Sequence, residues 1–428
     1  MIRNHPMKAK LISSLCLAML LSGVAGAQNP IRPGETLDLE RCISIAISRH
    51  PSVQASAGAV AVVESRVGQA RSGYYPLLSG SAGYSRADST STAGGQSYNN
   101  YSSRLSLSQN LYDFGKTATQ IKVQELSRDA SQADLEYVHN QIVLGVKQAY
   151  FTLLQAEGNR AVLRETVAQY QFQLDQAQAF FTIGIKPKYD VTTAEVNLST
   201  AKLNLLKGEN TLRLAQVALN NAIGLPGAPE YAIADRLSGE RLPIDMEAML
   251  RKAYERRSDL KALAVKKLSL EQSIELAKKG YMPSLTGSAS YGWGGGSFPL
   301  EQSWSVGAQV SVPLFNNSTR YQVNEAMANL EIVKANEAAL QQAISQEVKQ
   351  ACLNLQEAVD RIANTELTTR QADENLSLAQ GRYKAGVGNP IEVTNALVAL
   401  SSTKSAHVTA LYDYELAKAS LEKASGEQ

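Results

Sequence analysis

The chain is short of cysteine, histidine, aromatics and charge. Three cysteines in 428 residues exclude a disulfide-built scaffold. Four histidines, one of them His5 near the start, argue against a histidine-rich metal site. Charged residues make up 19% and aromatics 6%; the first is below the usual quarter. Such a chain is too apolar for disorder and too poor in aromatics for a conventional large core. Neither sign of charge prevails. Lys+Arg is 42 and Asp+Glu 40, a formal charge of +2, which argues against nucleic acid as a partner. No segment has 18 consecutive apolar residues, so no transmembrane helix is expected. Proline is missing between Pro76 and Pro187 and between Pro313 and Pro390, which leaves room for two very long helices.

What is present begins with an export signal. Arg3, Lys8 and Lys10 precede an apolar stretch from Leu11 to Leu21, and Ala25-Gly26-Ala27 supplies small residues for cleavage. Residues 1–27 therefore read as a cleavable signal peptide. Ser13-Ser14-Leu15 before Cys16 is not a lipoprotein cleavage box, so no lipid anchor is expected. Cys42 and Cys352 then remain in an oxidising compartment. Two unpaired thiols packed against helices is the expected state, and a disulfide between them is the alternative.

The chain repeats itself at a period of about 200 residues. Gly73-Tyr74-Tyr75-Pro76-Leu77-Leu78-Ser79-Gly80-Ser81-Ala82-Gly83-Tyr84 recurs from Gly280 to Tyr291 with eight of twelve positions identical. Leu111-Tyr112 is answered by Leu314-Phe315, and Gly184 with Val191-Thr192 by Gly386 with Val393-Thr394. Residues 28–224 and 246–428 are the two expected repeats, joined by a Pro- and Gly-rich linker at 225–245. Each repeat reads as two helices, a β-hairpin and a long helical hairpin. The predicted hairpins lie at about 77–112 and 283–315, and the helical hairpins at about 114–223 and 319–424. The first helix of the first repeat is placed at about Leu37 to Arg49. Val123, Ala130, Tyr137, Leu144 and Phe151 recur every seven residues, the coiled-coil spacing.

The hairpins have two faces. Trp304, Val306, Ala308 and Val310 alternate with Ser303, Ser305, Gly307, Gln309 and Ser311. Leu105 and Leu107 alternate with Arg104, Ser106 and Ser108. The polar face is small and almost uncharged. Aromatics gather at the strand ends, with Tyr74, Tyr112, Tyr281 and Phe315 at one and Tyr84, Tyr101, Tyr291, Trp293 and Trp304 at the other. That is the girdle pattern of outer-membrane strands, although a soluble sheet also buries one apolar face. Leu105, Leu107, Val306 and Val310 are expected to face lipid, and Ser106, Ser108, Gln309 and Ser311 a lumen. Four strands cannot close a barrel, for which about eight are needed. Open edges are not viable in lipid. The chain is therefore expected to assemble with copies of itself.

Together these features resemble the TolC-like outer-membrane efflux family over essentially the whole mature chain. The resemblance rests on the duplication, on Tyr75-Pro76-Leu77-Leu78 and Tyr281-Met282-Pro283-Ser284-Leu285 at the strand openings, and on Leu111-Tyr112-Asp113-Phe114-Gly115 at the exit. It rests also on Phe181 and Gly184 with Asp190-Val191, and on Tyr383 and Gly386 with Glu392-Val393. It implies a mostly α fold with membrane β: a homotrimeric 12-stranded β-barrel continuous with a long α-helical periplasmic tunnel. It implies a place in the outer membrane of a Gram-negative cell, in contact with its lipid. The partners it implies are a periplasmic adaptor (membrane fusion) protein and an inner-membrane pump, proton-driven or ATP-driven, in efflux or type I secretion. Gly184, Lys186, Gly386 and Gly388 are then the adaptor-docking tip. Asp190, Glu392 and Tyr383 belong to a periplasmic gate. Asn395 stands where some relatives have a second acid, and Gly388 where some have a basic partner. A second acidic ring and one salt bridge are thus expected to be missing, with Lys186 the candidate partner of Glu392 on a neighbouring helix. The acids also suit the first turn of a helix without any gate. His50-Pro51 and Ser258-Asp259 depart from the family's Asn-Pro and Pro-Asp.

No catalytic constellation is visible and no cofactor or metal is expected, so the chain reads as a non-enzyme. A structural coiled-coil envelope protein, such as an adhesin stalk, is the alternative. A pump adaptor also carries a long helical hairpin, but has no reason for two membrane-type hairpins. The cargo is not legible.

Overall fold

The computed structural model describes residues 31–89, 96–234 and 245–427. The expected leader, residues 90–95 of the first hairpin's expected loop and residues 235–244 of the expected linker lie outside the described residues.

The first repeat contains helices α1 (Leu39–Arg49) and α2 (Pro51–Arg71), strands β2 (Leu77–Ser89) and β3 (Gln96–Tyr112), and helices α3 (Lys116–Thr182) and α4 (Lys188–Ala222). The second contains α5 (Met246–Arg256), α6 (Ser258–Lys278), β5 (Ser284–Gly295), β6 (Glu301–Ser311), α7 (Asn317–Lys384) and α8 (Pro390–Ser425). Corresponding elements have nearly equal lengths: α3 and α7 have 67 and 68 residues, α4 and α8 have 35 and 36. At 1.5 Å per residue, each long helix is about 100 Å.

Two short strands frame the first repeat. β1 (Thr36–Leu37) pairs in parallel with β4 (Ala232–Ile233). Leu37, where the sequence places the start of the helix, thus belongs to a strand instead. The reason is the next residue: the Asp38 carboxylate accepts from the Arg41 N–H at 2.8 Å, an N-cap that starts α1 after it. The segment expected to be a plain linker therefore carries a strand back to the first repeat.

The strand-to-helix corners use different caps in the two repeats. Phe114 and Gly115 take positive φ, 54° and 76°, and the Asp113 carboxylate accepts from the Gly115 and Thr117 N–H groups at 3.0 and 2.8 Å. Burial pushes that carboxyl up, but the bonds from Thr117, Gly115 and Lys116 outweigh it and hold it below its ordinary range. In the second repeat the Asn316 amide oxygen accepts from the Ser318 N–H at 3.0 Å. There α7 begins at Asn317, earlier than expected, and β6 stops at Ser311 because Pro313 has no N–H for a ladder.

The four long strands form one antiparallel sheet in the order β2-β3-β5-β6. The helices pack in pairs, α3 with α4 and α7 with α8. Three apolar cores lie along them. One surrounds Leu37, Cys42, Val146, Phe151 and Leu219. A second surrounds Ile344, Val348, Cys352 and Leu355. A third, near the far turns, draws Leu174, Leu198, Leu376 and Leu397 from all four helices. Cys42 and Cys352 are free and buried in separate cores.

Candidate functional site

Two regions can do something beyond holding the fold: the sheet and the far turns of the helical hairpins. The sheet register decides the faces. Leu78 pairs with Leu107, Leu107 with Ala289, and Ala289 with Val306. Gly80, Leu105, Tyr291 and Trp304 form the next row, and Leu285 pairs with Val310. Leu105, Leu107, Val306 and Val310 therefore share one face, and all four are exposed. The opposite face holds Ser79, Ser106, Ser290 and Ser305 in one row and Ser108, Ser288 and Gly307 in another. Gln309 and Ser311 lie on that face too. The register shifts between Asn110 and Tyr112, a bulge of the kind found at the rims of barrels. Toward the loops, Tyr84 meets Tyr101 at 4.9 Å, Tyr101 meets Phe298 at 5.2 Å, and Tyr291 stands at right angles to Trp293 at 4.9 Å. Both edge strands, β2 and β6, have unpaired outer sides in the single chain.

The far turns are built alike. After α3 the Gly184 N–H reaches Phe181 O at 3.0 Å and the Ile185 N–H reaches Phe180 O at 3.0 Å. After α7 the Gly386 N–H reaches Tyr383 O at 3.1 Å and the Val387 N–H reaches Arg382 O at 3.2 Å. This is the Schellman arrangement, which needs a left-handed residue after the cap. Gly184 and Gly386 have φ of +75° and +77°. One step on, the repeats differ. Gly388 N–H reaches Arg382 O at 3.0 Å, whereas Lys186 N–H at the matching place reaches Phe180 O at 3.3 Å. A Cβ at Gly388 would stand 2.8 Å from the Tyr383 nitrogen, so glycine lets the second turn close more tightly. Ile183, Ile185, Tyr189, Val387 and Ile391 are exposed around these turns.

The expected gate residues divide into two groups. Asp190 and Tyr383 are buried and line one narrow cleft with Gln173, Asn197 and Thr394. Burial and the Asp190 carboxylate both raise the Tyr383 phenol above its ordinary pKa. The Lys186 ammonium sits over the Tyr383 ring at 5.2 Å, a cation–π contact between the repeats. Glu392 and Asn395 are exposed and apart from that cleft. Glu392 pairs with Arg382 at 3.3 Å, not with Lys186 as the sequence suggests. The basic group absent at Gly388 is supplied from the last turn of the preceding helix. Sequence reasoning missed Arg382, although a basic residue in the last turn suits the helix dipole. It also missed the bond from Asn197 to Thr394, 3.3 Å long, which ties α4 to α8.

The sequence profile of the outer membrane efflux protein family matches residues 42–225 and 249–427. Outer membrane protein TolC of Vibrio cholerae serotype O1 is 25% identical over 339 residues, covering 76% of each chain. Outer membrane protein TolC of Escherichia coli K12 is 22% identical over 398 residues, covering 88% of this chain and 80% of that one. A crystal structure of CusC superposes with a TM-score of 0.81 at 18% identity, over 94% of this chain and 96% of that one. With the family profile spanning both repeats and the sheet and helical hairpins arranged as described, the chain belongs to the outer membrane efflux protein family and is an efflux or secretion duct of the outer membrane.

Proposed function

We propose that three copies close β2 of one against β6 of the next, making a 12-stranded barrel, and that the turns at Gly184 and Gly386 dock a periplasmic adaptor and an inner-membrane pump. The trimer rests on the unpaired edges of a sheet with one lipid-compatible face, because open edges do not survive in the bilayer. Docking rests on one observation: both turns present apolar side chains around a backbone bare of Cβ. At Gly184 and Gly386 an added Cβ meets nothing within 4 Å, so a large side chain there projects outward. The duct is passive and performs no chemistry; energy comes from the pump. Asp190, Tyr383 and Lys186 hold the two repeats together at the mouth, and Glu392 with Arg382 lines it.

The test is Gly386→Trp. Export should be abolished while the trimer, read as a heat-dissociable band from detergent-extracted outer membranes, stays at its normal level. Normal export with that residue in place would remove the turn from the docking surface. A loss of the trimer itself would instead point to a role in assembly.

A further inference from the structure

The lumen face of the sheet is nearly without charge, and the exception is informative. Among the described strand residues, that face carries only Arg104 on β3 and Glu301 at the loop end of β6. Its other members around Arg104 are small: Ser81 and Gly292 pair with it directly, and Ser303 lies beyond Gly292. Arg104 Cβ is 3.4 Å from where a Cβ on Gly292 would stand, and Ser103 O only 2.6 Å from it. Gly292 thus lets the two strands lie close and leaves the arginine an open floor. Arg104 is exposed, and among the described residues its guanidinium has neither an ion pair nor a hydrogen bond. Glu301 lies two strands away and two residues nearer the loops, roughly 12 Å off at a strand spacing of ~4.8 Å. The second hairpin has no basic residue on this face.

We infer that Arg104 forms a ring of three guanidinium groups inside the barrel that binds small polyanions on their way out. The inference rests on the trimer proposed above, since one copy supplies only one member of the ring. A 12-stranded barrel tilted by about 40° is about 24 Å across. Serine and glycine walls leave its axis open. An extended arginine covers about half of the radius. A solute on the axis then sits within about one Debye length, ~8 Å at physiological salt, of all three charges. Guanidinium suits phosphate and carboxylate because its donors match their oxygens in pairs. Rings of arginine or lysine are how anion and phosphate pores select. The cargo favoured by this wall is therefore a solute with phosphate groups or several carboxylates.

The experiment uses the full-length trimer in planar phosphatidylcholine bilayers with 0.1 M KCl. Sodium tripolyphosphate is added to the barrel side. The wild type should be blocked, Arg104→Gln should need at least tenfold more tripolyphosphate for half block, and Arg104→Lys should keep most of the effect. Equal block in the wild type and Arg104→Gln, or a conducting wild type with no block, overturns the ring. So does block that emerges only in Glu301→Gln, which would mean that Glu301 of a neighbouring copy already neutralises Arg104. A chain that inserts no conducting trimer overturns the ring and the proposed duct together, whereas a conducting channel without block overturns the ring alone.

Discussion

At Gly386 the chain turns through φ of +77° with empty space beyond it, so conformation alone restricts what can replace it. Gly386→Ala should weaken the turn by about 1 kcal/mol, the low end of the left-handed penalty. Gly386→Asn should cost less, since asparagine tolerates that region. Hydrogen exchange at the amides of Gly386 and Val387 measures both, and equal protection in all three proteins would show that the positive φ is not required. A different residue-level device holds the middle of the molecule. Arg257, at the junction of α5 and α6, is 6% exposed. It donates to Asp259 at 2.7 Å and to Glu347 at 2.6 Å, and Lys423 reaches Glu347 from α8. Burial pushes the Glu347 carboxyl up, but Lys423 and Arg257 outweigh it and hold it below the usual range. A carboxyl lowered on folding stabilises at pH above its unfolded value, about 4.3. The contribution is lost only as pH falls through the lower folded value. Arg257→Met should cost about 3 kcal/mol, the lower end for breaking a buried pair, because Glu347 keeps Lys423. The detergent trimer should then dissociate at a lower temperature at pH 7, and an unchanged temperature would make the cluster idle.

The strands show which elements were legible and which were not. Period-two alternation needs no long-range knowledge, so the face of Leu107, Val306 and Val310 was readable from the residues. The register then aligned those faces across three ladders. The long helices were readable from missing prolines and a seven-residue spacing. Strands β1 and β4 were not, because two residues have no period, and their pairing joins Thr36 to Ala232 across the whole first repeat. The bulge after Asn110 was hidden for a similar reason: Leu111 and Tyr112 look like two more alternating positions. At the tip, spacing gave Asp190 and Glu392 matching places and the family resemblance added Tyr383, but burial separates Asp190 and Tyr383 from Glu392, and neither signal carries burial. The register makes a sharp prediction. Val306→Arg, at the middle of β6 on the apolar face, should lower the yield of inserted trimer, at a cost of ~2–4 kcal/mol for a charge at mid-bilayer facing lipid. Ser305→Arg, one residue away on the opposite face, should insert almost normally. Equal insertion of the two would mean that the lipid face is off by one residue.

On the scale of the whole molecule, the third core makes the two repeats one body at the far turns. It takes Tyr170 and Leu174 from α3, Leu198 from α4, Leu376 and Tyr383 from α7 and Val393 and Leu397 from α8. Phe180 meets the Tyr383 ring at 5.8 Å, and Lys186 caps its face. The duplicated halves thus close on each other through Tyr383, while Asp190 lies inside the joint and Glu392 outside it. That division sets the electrostatics of the far turns. On the proposed trimer with these turns at its mouth, three exposed Glu392 carboxylates would form the ring that cations meet first, and rings of acids attract cations in narrow pores. Arg382, also exposed beside each of them, weakens that ring; exposed pairs of this kind add about 0–1 kcal/mol to stability, so either partner can be removed without loss of the fold. Hexaamminecobalt(III) added from the periplasmic side of the reconstituted trimer should block the current. Glu392→Gln should raise the half-blocking concentration several-fold, and Arg382→Gln should lower it. Asp190→Asn should leave the block alone and instead loosen the joint, seen as faster proteolysis at the Gly184 turn. Block that is unchanged in Glu392→Gln would take that residue out of the pore and leave it only its place in the first turn of α8, where a carboxylate favours the helix dipole.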